Sequence, residues 1–195
     1  MQESASHTIT KQFRESAQLL QEFGESHAQD IVDMALLMGQ SLKKGGKLLI
    51  AGNGGSAADS QHFAAELVGR LKRERPPIAA IALTTDTSIL TAVANDYGFE
   101  DVFRRQVLAL GSENDVLVAV STSGNSKNLV NAVKSANQTG LRTMGLLGKD
   151  GGELAGLVTK ALVAPSDSSQ YIQQVHITVI HSWCEIIEDF LYPIS

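Results

Sequence analysis

The sequence predicts an α/β fold with three layers, in which a doubly wound sheet of five parallel strands lies between helices. Five short apolar runs recur along the chain and alternate with helical patterns. They cover residues 48–51, 78–83, 115–120, 142–147 and 160–164. Continuous apolar runs indicate strands buried on both faces, as in a parallel sheet. Loops rich in glycine or hydroxyl groups follow the first and third runs, at the sheet edge where such folds bind ligands.

Two amphipathic helices are predicted before the sheet. The first spans residues 5–24, carries Phe13 and Phe23 on its apolar face, and ends at Gly24. The second spans residues 27–44 and ends at a pair of glycines. A doubly wound core does not need this helix pair, so we expect it to pack on another subunit. The alternative is that the pair covers its own sheet.

Further helices are predicted between the strands and after the last one. Ser56 is expected to cap the helix after the first strand. The helix after the second strand is expected to reach about Ala94 and to be broken by Asn95-Asp96-Tyr97-Gly98. The remaining helices are predicted over residues 103–110, from about 127, and over 170–191. The basic run 70–75 is predicted to be a solvated surface.

Composition limits the possible partners. The chain has 195 residues and a formal net charge of −5, which argues against a nucleic-acid or membrane-surface partner. The one cysteine, Cys184, allows no intrachain disulfide. No apolar run reaches the roughly 20 residues of a membrane helix, and the first residues lack a signal core. We expect one cytoplasmic domain over residues 1–195, with 1–45 serving oligomerisation and 46–195 forming the sheet and its covering helices.

The loop after the first strand has the features of an anion site. Its residues Gly52-Asn53-Gly54-Gly55 permit a close backbone approach, and the first turn of the next helix offers unpaired N–H groups. On that helix His62 and Glu66 are four residues apart and therefore share a face. This stretch is thus predicted to hold an anion beside an imidazole and a carboxylate.

The loop after the third strand is rich in hydroxyl groups. Ser121, Thr122, Ser123 and Ser126 surround one glycine at the start of a helix. Hydroxyl and backbone donors suit a phosphate that is bound without being cleaved. The loop lacks the lysine of a P-loop, which disfavours nucleotide hydrolysis. An ordinary capped turn is the alternative.

A dinucleotide site is disfavoured. Gly52, Gly54 and Ala57 fit the pattern G-x-G-x-x-A, which is short and weakly specific. The second strand lacks an acidic residue at its tip, and Asp86 comes too late in the chain.

A second group of residues could hold a metal. It combines His62 and Glu66 with Gln173, His176 and His181 of the last helix. Gln173 and His181 are eight residues apart, about 80° round the axis and roughly 12 Å along it, so they would have to lean towards each other. Imidazole and carboxylate ligands suit zinc. The alternative is that these histidines are structural.

From about residue 28 onward the chain resembles the bacterial phosphoheptose isomerases, which are sugar isomerase (SIS) domain proteins. The motifs that carry this resemblance occur in order: Gly52-Asn53-Gly54-Gly55-Ser56, His62-Phe63-Ala64-Ala65-Glu66, Arg75-Pro76, Ala94-Asn95-Asp96, Ser121-Thr122-Ser123-Gly124-Asn125-Ser126, Gly148-Lys149-Asp150-Gly151-Gly152, and Ile172-Gln173-Gln174-Val175-His176 followed by His181. The resemblance implies a flavodoxin-like sheet, one zinc ion per subunit and a homotetramer with active sites between subunits. It also implies conversion of sedoheptulose 7-phosphate to D-glycero-D-manno-heptose 7-phosphate, the first step towards lipopolysaccharide heptose.

The resemblance also implies roles for individual residues. The expected zinc ligands are His62, Glu66, Gln173 and His181. Glu66 and His181 also match the family's proposed acid–base pair, and Asp59 is a weaker candidate for assisting proton transfer. The positions expected to contact substrate are Asn53, Gly54, Gly55, Glu66, Asn95, Asp96, Ser121, Thr122, Ser123, Ser126 and Gln173.

The chain departs from the family at two places. Tyr171 and Gln174 stand where the family usually has arginine and glutamate, which affects packing and subunit contacts rather than the metal positions. Two other functions stay open at this point. One is a non-catalytic SIS protein that associates with the bacterial replication initiator, and the other is an isomerase of a different phosphosugar. The presence of both Glu66 and His181 favours an enzyme.

Overall fold

The structure is a computed structural model that describes residues 2–193, with side chains from Ser4 onward. Its five strands form one parallel sheet in the order β2-β1-β3-β4-β5. This is the flavodoxin-like order, in which the chain leaves β1 towards β2 on one side and returns to β3 on the other. The strands are β1 Leu48–Gly52, β2 Ala80–Ala82, β3 Val116–Ser121, β4 Arg142–Gly148 and β5 Lys160–Ala164.

Seven α-helices accompany the sheet within the described residues. They are α1 Gln2–Lys43, α2 Gly55–Val68, α3 Thr87–Tyr97, α4 Val102–Leu110, α5 Lys127–Gln138, α6 Gly152–Ala155 and α7 Ser169–Leu191. A 3-10 turn, Phe99–Asp101, joins α3 to α4. Across residues 2–193, none of the helices combines the length and the apolar character that crossing a bilayer would require.

The central strands β1, β3 and β4 bury both of their faces, apart from the exposed Arg142 at the start of β4, which confirms the predicted three-layer architecture. Leu48 and Ile50 of β1 belong to a core shared with α1, α2 and α7. Leu49 and Ala51 belong to a second core with α4 and α5. Successive residues of a strand therefore face opposite helix layers, which explains why the strand sequences are apolar throughout.

The predicted helix end at Gly24 is wrong, because α1 is one helix of 42 residues. A glycine inside a helix costs about 1 kcal/mol relative to alanine. Two features outweigh that cost. Phe23, Met34 and Met38 are buried in the core, and the Trp183 indole donates a hydrogen bond to the carbonyl of Ile31 at 3.1 Å. The N-terminal part of the helix is more exposed, and Phe13 is solvent-exposed rather than covered.

Two other predicted helix boundaries differ from the structure. Ser56 does not cap α2, because Gly54 occupies the N-cap with a left-handed φ of 56° and Ser56 lies buried within the first turn. The helix α3 extends three residues beyond the predicted end at Ala94, to Tyr97, and ends at Gly98, the last residue of the predicted break. At this boundary Gly98, whose φ is 98°, ends the helix more effectively than the asparagine does.

The basic run is not simply a solvated surface. Lys72 pairs with Glu185 and Arg73 pairs with Asp189, each at 2.8 Å. Arg75 is buried against Glu188, with 1% and 2% of the two side chains exposed. The segment therefore docks on the acidic last turns of α7.

Candidate functional site

Three side chains from two helices converge on one point. The donor atoms of His62, Glu66 and His181 all lie within 4.8 Å of one another. The two histidine Nε2 atoms are 2.9 Å apart, and the Nε2 of His62 is 3.3 Å from a carboxylate oxygen of Glu66. Both histidines are exposed and Glu66 is half-buried, so a ligand can reach the cluster from solvent.

Packing between α2 and α7 brings this cluster together. The ring centroids of Phe63 and Trp183 lie 5.9 Å apart, and both residues are buried. Phe63 directly follows His62 on α2, and Trp183 lies two residues after His181 on α7. The four-residue spacing of His62 and Glu66 then places both on one face of α2, as predicted.

Gln173 approaches the loop after β1. Its side-chain amide lies against Gly55, closely enough that a Cβ at that glycine would collide with it. Gly55 therefore permits α7 to come close to the start of α2. Gln173 lies more than two turns before His181, and its amide lies at the first residue of α2, whereas His62 and Glu66 lie further along that helix.

The donor set at the cluster fits a zinc ion. Two imidazole nitrogens and one carboxylate oxygen are ligands that zinc commonly takes, and in this single chain they already converge. Their exposure leaves room for substrate or water to complete a coordination sphere.

The glycine loop after β1 and the hydroxyl-rich loop after β3 meet at the carboxyl edge of the sheet. A cavity of about 540 Å³ there is lined by residues of both loops and by the segment after α3: Asn53, Gly98, Phe99, Glu100, Ser126, Lys127 and Asn128. Adjacent strands whose connections leave in opposite directions create such a crevice, and doubly wound folds bind ligands in it. The structure thus places Asn53 and Ser126 together, as predicted.

The hydroxyls of the loop after β3 have different surroundings. Ser121 is buried, and its Oγ accepts the N–H of Gly124 at 3.1 Å. Ser123 similarly accepts the N–H of Asn125, whereas Thr122 is within 3.4 Å of Ser169 on α7. Ser126 is the N-cap residue of α5 and makes no side-chain capping bond. The hydroxyl of Ser126 is therefore not used to cap its own helix.

The loop after β4 packs against the hydroxyl-rich loop and supports it. The N–H of Leu154 donates to the carbonyl of Gly124 at 3.0 Å, and the N–H of Glu153 donates to Asn125 Oδ1 at 2.9 Å. Gly124 packs so tightly on Gly151 that any larger residue would collide with the backbone. The glycines of the loop after β4 thus allow the two loops to pack together.

The other predicted substrate positions are more dispersed. Asn95 and Asp96 lie exposed in the last turns of α3, where Asn95 Nδ2 donates to Asp96 Oδ1 at 2.8 Å. The residues that directly follow, Gly98 to Glu100, line the cavity, but Asn95 and Asp96 are not part of that lining. Gly54 and Gly55 form the exposed turn that starts α2.

Tyr171 and Gln174, the two residues at which the chain departs from the family, face α1. The Tyr171 hydroxyl donates to Glu15 at 3.0 Å, and Gln174 accepts from the hydroxyl of Ser16. With Gln12 and Phe13 they line a cleft of about 380 Å³ between α1 and α7. They therefore affect how the N-terminal helix packs and lie on the side of α7 that faces it.

Asp59 is one turn before His62 on α2. Burial raises its pKa to about 6, and the neighbouring His62 opposes the rise. Its Oδ2 is buried and has no hydrogen-bond partner among the described residues. Burial thus keeps this carboxyl protonated to a higher pH than that of an exposed aspartate.

Sequence reasoning missed two groups next to the site. Asn128 pairs with Asn53 through two hydrogen bonds, and its place directly after the hydroxyl-rich loop was the available signal. Arg75 donates to the carbonyls of Glu66 and Leu67 at the end of α2. The basic run that contains Arg75 gave no indication that one of its members is buried.

Comparisons with known proteins show the family to which the chain belongs. The SIS domain family model matches residues 12–148. The chain is 53% identical to a phosphoheptose isomerase of Geobacter sulfurreducens, covering 95% of this chain and 98% of that one, and 51% identical to one of Aquifex aeolicus, covering 94% and 96%. A solved phosphoheptose isomerase from Neisseria gonorrhoeae superimposes with a TM-score of 0.90 at 45% identity, over 95% of this chain and 99% of that chain. The chain therefore belongs to the phosphoheptose isomerase family of SIS-domain proteins.

Proposed function

We propose that this chain is a phosphoheptose isomerase that interconverts sedoheptulose 7-phosphate and D-glycero-D-manno-heptose 7-phosphate, with Glu66 and His181 as its acid–base pair. As a member of this family, it is a phosphosugar isomerase. The observation that carries the assignment of roles is the convergence of Glu66, His62 and His181 from two helices at an exposed point.

The reaction moves a proton between adjacent carbons through an enediol. A base removes the proton from C1 of the ketose while an acid protonates the oxygen on C2. The proton on the C1 oxygen then leaves, and C2 is protonated to give the aldose. Glu66 serves as the base at carbon and His181 exchanges protons with the oxygens, because they are the nearby carboxylate and imidazole.

The substrate is held by the loops at the sheet edge. Hydroxyl and backbone donors of Ser121, Thr122, Ser123 and Ser126 bind the phosphate. Asn53, Gly54 and Gly55, together with Asn95, Asp96 and Gln173, bind the sugar. Holding the distant phosphate orients the reacting carbons against the acid–base pair, so that binding energy lowers the barrier.

His62, Glu66, Gln173 and His181 would hold zinc. When bound, the ion would polarise the oxygens on the two reacting carbons. His62 lies between the carboxylate and the other imidazole and has no other role in this scheme, which favours it as a ligand.

The assembly that we propose is a homotetramer with active sites between subunits. Apolar side chains of α1 and α4 are exposed in the single chain, and α3 has no buried residue. Such surfaces indicate contacts with other copies of the chain. We further propose that the enzyme works in the cytoplasm and supplies heptose for lipopolysaccharide.

Turnover of sedoheptulose 7-phosphate, followed by NMR with zinc supplied, tests the function. We expect the wild type to form the aldose, and Glu66→Gln and His181→Gln to lose on the order of 100- to 10,000-fold in kcat. Glu113→Gln is the matched control, because Glu113 is exposed before β3, at the opposite edge of the sheet. A zinc-loaded wild type that does not convert sedoheptulose 7-phosphate would exclude a phosphoheptose isomerase.

The same assay separates the two alternatives. A non-catalytic SIS protein would convert no phosphosugar, and its Glu66→Gln variant would behave like the wild type. An isomerase for another sugar would convert a different member of a panel of ketose and aldose phosphates while still requiring Glu66. Relatives at about half identity over nearly the whole chain favour the heptose phosphate.

A further inference from the structure

The loops after β1 and β3 are joined by a pair of asparagines. Asn53 Nδ2 donates to Asn128 Oδ1 at 3.0 Å, and Asn128 Nδ2 donates to Asn53 Oδ1 at 2.9 Å. Asn53 lies in the glycine turn before α2, and Asn128 lies in the first turn of α5. Both border the cavity at the sheet edge.

The orientation of Asn128 is set by the helix that carries it. Its Oδ1 also accepts the backbone N–H of Leu129 at 3.0 Å, a contact that an NH₂ group could not make. The side chain is 3% exposed, so it has little freedom to rotate away. Consequently the oxygen and nitrogen of Asn128 have fixed positions, and its Nδ2 faces Asn53.

This fixed amide in turn sets the orientation of Asn53. A side-chain amide can turn over and exchange its oxygen and nitrogen, because the terminal torsion has a broad, roughly two-fold preference. The reciprocal pair with Asn128 allows only one of the two arrangements. In that arrangement Asn53 keeps one N–H and one oxygen lone pair for a ligand in the cavity.

We propose that Asn128 is a positioning residue for the isomerase reaction, which holds the amide of Asn53 in the orientation that binds the sugar. The inference rests on the proposed function, since Asn53 is a substrate contact only within it. Asn128 acts through Asn53 and does not itself touch the reacting atoms. It also couples the phosphate-binding loop to the sugar-binding loop, because α5 begins directly after Ser126.

The variant Asn128→Asp tests this role with minimal change of shape. It keeps the oxygen that accepts from Leu129 and replaces the donor to Asn53 with an acceptor. Either orientation of the Asn53 amide then sets its oxygen against a carboxylate oxygen, so the pair no longer fixes one orientation. We expect kcat/KM for sedoheptulose 7-phosphate to fall on the order of 10- to 100-fold, mainly through KM. Gln138→Glu is the matched control, because this exposed amide at the far end of α5 gains the same charge.

A double-mutant cycle with Asn53→Ala separates positioning from general disruption. If Asn128 acts through Asn53, Asn128→Asp lowers kcat/KM in the wild-type background and has no further effect in the Asn53→Ala background. An equal fall in both backgrounds, or no fall in the wild type, would overturn the proposal. Asn128→Ala enters the same cycle in case the aspartate variant does not fold, with folding of each variant checked by urea denaturation.

The cycle also distinguishes this inference from the function on which it rests. A wild type that does not convert the heptose phosphate removes the proposed function and this inference with it. An active wild type whose Asn128 variants keep full kcat/KM removes the inference alone.

Discussion

The Nε2 atoms of His62 and His181 lie 2.9 Å apart, although 119 residues separate these histidines in the sequence. Two neutral imidazoles can approach so closely only if one donates its N–H and the other accepts. The same approach brings two nitrogen donors and the Glu66 carboxylate to one point. The pair is therefore suited both to exchange protons and to bind a cation.

The first prediction concerns zinc binding. We expect the purified wild type to bind about one zinc ion per chain. His62→Ala should weaken zinc affinity by more than about 10-fold. Removing a residue that only hydrogen-bonds to a metal ligand already costs at least about that factor, and His62 is a proposed ligand itself. Zinc retained after dialysis against a graded chelator, measured by atomic absorption, gives the comparison. His7→Ala is the control because His7 is exposed on α1, and equal retention by both variants would contradict the site.

The sheet was predictable because its signal is local. The central strands β1, β3 and β4 are buried on both faces, so their burial appears directly as continuous apolar runs. The loops at the carboxyl ends of β1 and β3 follow these runs directly in the sequence. The pairing of His62 with Glu66 was predictable for the same reason, since helix geometry relates residues four apart.

What the sequence did not predict depends on distant partners. Gly24 continues a helix because Trp183 and its neighbours on α7 pack beside the following turns, and no local pattern shows this. Arg75 is buried while Glu74 and Pro76 beside it are exposed, because its guanidinium bonds to the buried Glu188 carboxylate and to carbonyls at the end of α2. The Asn53–Asn128 pair likewise depends on two loops that meet only when β1 and β3 pair.

The second prediction concerns the Arg75–Glu188 pair, which is almost fully buried. Arg75 also donates to the carbonyls of Glu66 and Leu67 at 2.7 Å, so it ties the end of α2 to α7. Arg75→Met leaves the Glu188 charge buried without this partner. It should lower the free energy of unfolding in urea by about 3–5 kcal/mol.

The exposed pair Lys134–Glu153 provides the control for this measurement, because both of its side chains are about half exposed. Lys134→Met should cost less than about 1 kcal/mol. The double variant Arg75→Met/Glu188→Met should lose less than the sum of its single changes, because it leaves no isolated buried charge. An Arg75→Met variant as stable as Lys134→Met would refute this account.

The third prediction concerns stability in acid. Burial lowers the pKa of His176 from 6.5 to about 4, partly offset by its hydrogen bond to the Leu147 carbonyl. Between these values the unfolded chain binds the proton and the folded chain does not, so stability rises with pH. The contribution is complete above about pH 6.5 and is lost as the pH falls towards 4, a change on the order of 3 kcal/mol.

Urea titrations at several pH values test this. His176→Gln keeps a donor for the Leu147 carbonyl but cannot be protonated, so its free energy of unfolding should fall less steeply between pH 6.5 and 4 than that of the wild type. His7→Gln should keep the wild-type slope, because His7 is exposed. A His176→Gln slope equal to that of the wild type would show that His176 does not govern acid stability.

The last prediction concerns assembly through α1. Ile9 and Phe13 are 53% and 75% exposed, and Phe13 borders the cleft between α1 and α7. If this apolar face contacts another subunit, Phe13→Glu places an unpaired charge in the contact and should shift the mass found by light scattering from a tetramer to smaller species. Lys11→Glu changes charge two residues away, about 160° round the helix, and should leave the mass unchanged. A Phe13→Glu variant with wild-type mass would place the subunit contacts elsewhere, and the unburied face of α3 would then be the surface to test.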